Sequence, residues 1–150
     1  MNKIFQNIVF CFMLIAATTT YAAKNNFQFQ ISNYYTQRQG GQTLDLYVRY
    51  AIKDDTDYSK YPDYRQLRDM TLPYLEPSKE LPVNTFWEKI VSKMAKQLKS
   101  HYSLAGISVQ LLVYPNKNGN ISEPGFHGPI YTIGDVIPLS QVVIPTASNE

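Results

Sequence analysis

Residues 85–113 read TFWEKIVSKMAKQLKSHYSLAGISVQLLV, and within this stretch the apolar residues change from helical spacing to strict alternation. Phe86, Ile90, Met94 and Leu98 recur on one side of a helix, and Trp87, Val91 and Ala95 widen the stripe. Lys89, Lys93, Lys96 and Lys99 fall largely on the other side. The spacing predicts a helix over roughly 85–102, with Thr85 and Glu88 at capping-box separation at its start. After Ala105-Gly106, the residues Ile107, Val109, Leu111 and Val113 alternate, as in a strand with one buried face. A broad helical stripe followed at once by such a strand calls for a helix layer packed on a sheet.

Moving outward, Phe27-Gln28-Phe29-Gln30-Ile31 alternates in the same way, and Leu44, Leu46, Val48, Tyr50 and Ile52 share one face with Asp45, Tyr47 and Arg49 opposite. Gly40-Gly41 lies between the two runs, so they read as a hairpin. Lys53 to Pro62 is a polar crossing loop. Asp63 caps a first helix that carries Tyr64, Leu67, Met70, Thr71 and Tyr74 on one side, and Pro73 should kink or end it. Residues 76–82 connect the helices. Residues 115–128 form a long loop, and Pro129-Ile130-Tyr131-Thr132-Ile133 gives a fourth strand. The tail from 136 to 150 offers a weak edge strand around 141–144, interrupted by prolines on either side. The result is an α+β domain, an antiparallel sheet in ββααββ order with two helices on one face.

The 150-residue chain holds 14 Lys+Arg against 12 Asp+Glu, a formal charge of +2, with no run of like charge. That pattern excludes a disordered tail and a phosphate-coating nucleic-acid binder. Residues 1–23 differ from the rest. Lys3 precedes an unbroken apolar run from Ile8 to Ala17, too short to span a bilayer, and small residues end at Ala22-Ala23. This reads as a secretory signal peptide in preference to an uncleaved anchor, with a domain at 24–135 and a C-terminal tail at 136–150. The expected location is periplasmic or secreted, without stable membrane insertion. Cys11, the only cysteine, lies in the signal segment, so the mature chain has neither a disulfide nor a cysteine-based zinc site.

Three motifs resemble one family. Asp63-Tyr64-Arg65-Gln66-Leu67 is similar to the D-Y-x-x-L that opens the first helix of dihydroneopterin aldolases, members of the tunnelling fold. Val83-Asn84-Thr85-Phe86-Trp87-Glu88-Lys89-Ile90 is similar to their apolar-I-E-T-L-A-E-x-I, and Val109–Pro115 to their V-x-V-x-K-P. Gly41-Gln42 also matches, and the motifs span about residues 27–135. The resemblance implies a ring of subunits with sites between them and a pterin or purine type of ligand. In the family, a glutamate opening the second helix anchors the pterin, a tyrosine lies by the first helix, a lysine before the proline moves protons, and a hairpin glutamate completes the set. Carried over by position, these become Asn84, Tyr64, Tyr114 and Gln37, so only the tyrosine survives. A carboxylate can pair with the amino and N–H edge of a pterin, whereas an amide lacks that charge. A phenol, ordinarily titrating near 10, replaces a proton-shuttling amine poorly. Lys117 is a further candidate to swing in.

The ligand-binding candidates are therefore Gln37, Tyr64, Asn84, Tyr114 and His127, and the catalytic candidates are Tyr64, Tyr114 and Lys117. His127 sits in a loop between Phe126 and Gly128. His101 ends a helix and suits its terminal carbonyls. Two separated histidines cannot assemble the three-ligand zinc set of related synthases, so neither metal nor cofactor is expected. Asp54-Asp55-x-Asp57 lacks the glycine and distal glutamate of a calcium loop. No serine-hydrolase elbow, P-loop or dinucleotide motif is present. Three readings remain: an exported aldolase-like domain without the parent activity, an active pterin aldolase or epimerase with altered acid–base residues, and a structural or interaction protein of the cell envelope using its many tyrosines.

Overall fold

The structure, a computed structural model, describes residues 25–115 and 126–140. The segment at 1–23 expected to be a signal peptide, Lys117 and the edge strand expected at 141–144 lie outside these residues. Four strands, β1 (Asn26–Thr36), β2 (Gln42–Ala51), β3 (Gly106–Val113) and β4 (Ile130–Gly134), form an antiparallel sheet in the order β1-β2-β3-β4. Two helices, α1 (Tyr64–Leu75) and α2 (Trp87–His101), intervene between β2 and β3. The α+β expectation and its ββααββ order are met.

The core lies between the helices and one face of the sheet. Leu44, Leu46 and Val48 of β2 and Ile107, Val109, Leu111 and Val113 of β3 are fully buried against Ile90, Val91, Met94 and Leu98 of α2. Leu67 and Leu75 bring α1 onto the same core. This layer holds the β1–β2 loop and the helix ends in fixed relation.

Three local expectations are corrected. Helix α2 begins at Trp87, not Thr85, and has no side-chain cap. Thr85 is instead the closing residue of a turn, donating its N–H to the Pro82 carbonyl at 2.9 Å. Phe86, expected in the apolar stripe, is 77% exposed because it precedes the first turn in extended conformation. Strand β1 also runs five residues past Ile31. A register shift between Ile31 and Tyr34, with Asn33 at φ 54°, carries pairing on to Thr36. As for α1, the Asp63 cap forms with the Arg65 N–H at 2.9 Å, and the helix ends two residues beyond Pro73.

The start of the tail is ordered by the face of the sheet that the helices leave bare. Val136 and Leu139 are buried there, the Leu139 N–H donates to Ser108 Oγ at 3.0 Å, and the Arg49 guanidinium donates to the Pro138 carbonyl at 2.9 Å.

Candidate functional site

Tyr114 follows β3 directly. Its N–H donates to the Thr43 carbonyl at 2.9 Å, which fixes it beside the start of β2. Its hydroxyl donates to Asp45 Oδ2 at 2.8 Å, and Tyr47 donates to the same oxygen at 3.2 Å. The Asn33 N–H, presented by the irregularity in β1, donates to Asp45 Oδ1 at 2.7 Å. Asp45 is only 5% exposed, so these three donors replace the water its carboxylate gave up. The hydrogen bond to Asp45, then burial, then the negative charge nearby push the Tyr114 phenol up to about 12. Burial and Asp45 push Tyr47 upward as well.

The chain returns to this corner at residue 126. The Phe126 ring meets that of Tyr114 edge-on at 5.1 Å. His127 pairs with Val113 through the Val113 N–H to its carbonyl at 2.7 Å and its own N–H to the Val113 carbonyl at 3.3 Å, leaving its side chain exposed. Gly128 is required here, since a Cβ on it would fall 1.8 Å from the Leu111 carbonyl oxygen. Tyr114, His127, Asp45 and Tyr47 thus share one corner.

Gln37 and Asn84 lie at the same end of the molecule, on the side of the helices. The block is organised by Arg38, which is fully buried. Its guanidinium donates to the carbonyls of Pro82 at 2.9 Å, Tyr74 at 3.1 Å and Glu76 at 2.5 Å. Desolvation pushes the Arg38 pKa down, and the Glu76 charge opposes that push. The Gln39 N–H to Val83 carbonyl bond, 3.3 Å, ties the hairpin loop to the turn that presents Asn84. Glu76 takes the Tyr34 hydroxyl at 2.8 Å and faces the Gln37 N–H at 3.5 Å. Burial, followed by this hydrogen bond and the Glu76 charge, raises Tyr34 to about 12.

Tyr64 is elsewhere. It is 54% exposed at the start of α1, in a cleft of about 380 Å³ shared with Phe27, Tyr50, Tyr61 and Asp63. Phe27 pairs with Tyr50, while Tyr114 is bonded to Thr43, seven residues back along β2. At about 3.3 Å per residue that separation is roughly 23 Å. The chain therefore carries two candidate sites at opposite ends. Among the described residues no group of three His, Cys, Asp or Glu side chains is placed to hold a metal, and no helix is long and apolar enough to cross a membrane.

Asp45, Glu76 and Arg38 were not singled out in the sequence, and Tyr34 counts there only among the tyrosines that could stack on a planar ligand or form a subunit interface. Asp45 reads there as the polar side of a strand, and Glu76 as part of a connector. An acidic residue between Leu44 and Leu46 with Tyr47 two positions on was the one available signal.

No protein-family model matches the chain, and no curated protein is significantly similar to it. Solved structures do match. Dihydroneopterin aldolase of E. coli, in complex with neopterin, superposes with a TM-score of 0.51 at 12% identity, covering 72% of this chain and 99% of its own. A protein of Vibrio cholerae assigned as a dihydroneopterin aldolase gives 0.50 at 16%, covering 72% and 97%. At these identities the likeness is one of fold: the four-stranded antiparallel sheet with two helices is that of the dihydroneopterin aldolases.

Proposed function

We propose that this chain is an exported dihydroneopterin-aldolase-like domain that has lost the parent aldolase reaction and binds a small planar heterocycle, of pterin or purine type, between copies of itself. The observation that carries the reading is the Tyr114–Asp45 hydrogen bond at 2.8 Å. By the motif alignment, Tyr114 stands where the family places its proton-moving lysine. A retro-aldol step needs a group there that exchanges protons near the working pH. A phenol raised to about 12 keeps its proton at neutral pH, and its O–H is already engaged as a donor to Asp45. Tyr114 can still orient a ring through the free lone pairs of its oxygen and through its aromatic face.

One feature supports binding between copies, and another the type of ligand. The half-sites around Tyr64 and around Gln37, Asn84 and Tyr114 are separated by most of the length of β2, so a single chain does not unite them. The E. coli protein of the same fold was captured with neopterin. Export rests on the pattern of residues 1–23.

Thermal unfolding of the purified chain with a panel of pterins and purines tests the binding. A ligand present at about a hundred times its Kd stabilises the folded state by about 2.7 kcal/mol. At least one member should produce such a shift. A panel that leaves the melting temperature unchanged at millimolar concentration rules the reading out.

A further inference from the structure

A cavity of about 510 Å³ opens on the helix side of the molecule, between α1, α2 and the segment that joins them. None of Gln37, Tyr64, Asn84, Tyr114 or His127 lines it, so it is separate from the sites described above. Its volume falls within the roughly 300–1,000 Å³ of small-molecule pockets. Met70, Pro73, Leu81 and the Tyr74 ring supply an apolar wall. That wall is fixed: the Tyr74 hydroxyl donates to Gln97 Oε1 on α2 at 2.8 Å, and Arg38 holds the Tyr74 carbonyl at 3.1 Å.

The polar groups around the wall favour acceptors. Lys93, the one cation among the lining residues, is engaged by Glu80 Oε2 at 2.6 Å. Asp69 gives Oδ1 to Arg68, whereas Asp69 Oδ2 and Glu80 Oε1 have no protein donor among the described residues. Pro73 adds a further acceptor. It lies inside α1 and has no N–H to give to the carbonyl of Asp69 four residues back, yet the helix continues to Leu75. Asp69 therefore offers both a carboxylate oxygen and a backbone carbonyl. An ammonium group carries three donors and no acceptor, which matches this excess. We propose that the cavity binds a small amphipathic amine, its ammonium held by the two acceptors of Asp69 near the Tyr74 ring and its apolar body on Met70, Pro73 and Leu81. The assignment does not depend on the heterocycle reading.

Calorimetric titration of the full chain with 2-phenylethylamine, 2-phenylethanol and 3-phenylpropionate compares one skeleton bearing a cation, a neutral group and an anion. The amine should bind at least about tenfold tighter than the alcohol, a difference of about 1.4 kcal/mol, and the acid more weakly than the alcohol. Asp69 is exposed, so Asp69→Asn should fold normally. It should reduce the amine-to-alcohol ratio to about twofold or less while alcohol affinity stays within about twofold of its original value. Asp55→Asn, an equal loss of charge outside the cavity, should leave the ratio unchanged. Pro73→Ala, which returns an N–H to the Asp69 carbonyl, should raise the melting temperature yet weaken amine binding about threefold. Four results would each overturn the proposal: no amine binding at millimolar concentration to a chain that unfolds cooperatively, equal affinity for amine and alcohol, a preference that survives Asp69→Asn, or an amine affinity that Pro73→Ala leaves intact.

Discussion

Replacing Arg38 by methionine should loosen the end of the molecule that presents Gln37 and Asn84. The guanidinium bonds three carbonyls, those of Pro82, Tyr74 and Glu76, and thereby joins the hairpin loop, the end of α1 and the turn before α2. Hydrogen bonds from a charged donor contribute about 1.5–3 kcal/mol each. Three of them do not add, because the buried guanidinium has lost its hydration, the effect that also pushes its pKa down. Removing one partner of a buried charged network costs about 3–5 kcal/mol. The lower end, about 3 kcal/mol, applies here, since methionine fills most of the volume and Arg38 Nε has no hydrogen-bond partner among the described residues. For a domain of this size that corresponds to a fall of about 10 °C in melting temperature. Urea unfolding followed by fluorescence of Trp87, the single tryptophan, reads the change from inside the core. Arg38→Lys, whose one amine cannot reach all three carbonyls, should lie between, at about 2 kcal/mol of destabilisation. If Arg38→Met loses less than about 1 kcal/mol, the guanidinium does not hold this block together and the reasoning fails.

Tyr114→Phe should remove one phenol that ionises near pH 12 in a spectrophotometric titration of the folded chain; an unchanged curve above pH 11 contradicts its bond to Asp45. The same group sets a sign. Its pKa is raised from 10.0 to about 12 on folding, so its stabilisation is complete below pH 10 and is lost as the pH climbs through 12. The alkaline fall in melting temperature should therefore be shallower in Tyr114→Phe, and an equally steep or steeper fall would refute the assignment. Gly128→Ala drives a methyl group into the Leu111 carbonyl at 1.8 Å, backbone that cannot swing aside. It should destabilise by at least about 2 kcal/mol and weaken ligand binding beside Tyr114; a variant as stable as the parent shows that this loop does not rest on β3.

The fold was legible because its elements each obey one period. Leu44 to Ile52 and Ile107 to Val113 alternate cleanly, and Ile90, Met94 and Leu98 mark the face of α2 that is buried. Its ends were less so. The Thr85–Glu88 spacing fits a capping box, yet the Pro82–Thr85 turn takes the Thr85 N–H and the helix starts later. The candidate site was legible only where a motif pointed to it. Tyr114, Asn84 and Gln37 were reached by position in the chain, and the structure sets them at one end with Tyr64 at the other. Asp45 and Glu76 escaped notice because what distinguishes them is burial and partners far along the chain. Tyr114 lies 69 residues from Asp45, and Tyr34 lies 42 from Glu76. An irregularity in β1 that aims one N–H at Asp45 has no signature in a strand of alternating residues.

The central claim, a dihydroneopterin-aldolase fold without the aldolase reaction, is tested most directly by incubating the full chain with dihydroneopterin and following release of the aldehyde fragment. With the Tyr114 hydroxyl kept protonated and donating to Asp45, the rate should match the protein-free control. Turnover at an ordinary enzymatic rate, on the order of 10 per second, that disappears in Tyr114→Phe would contradict it.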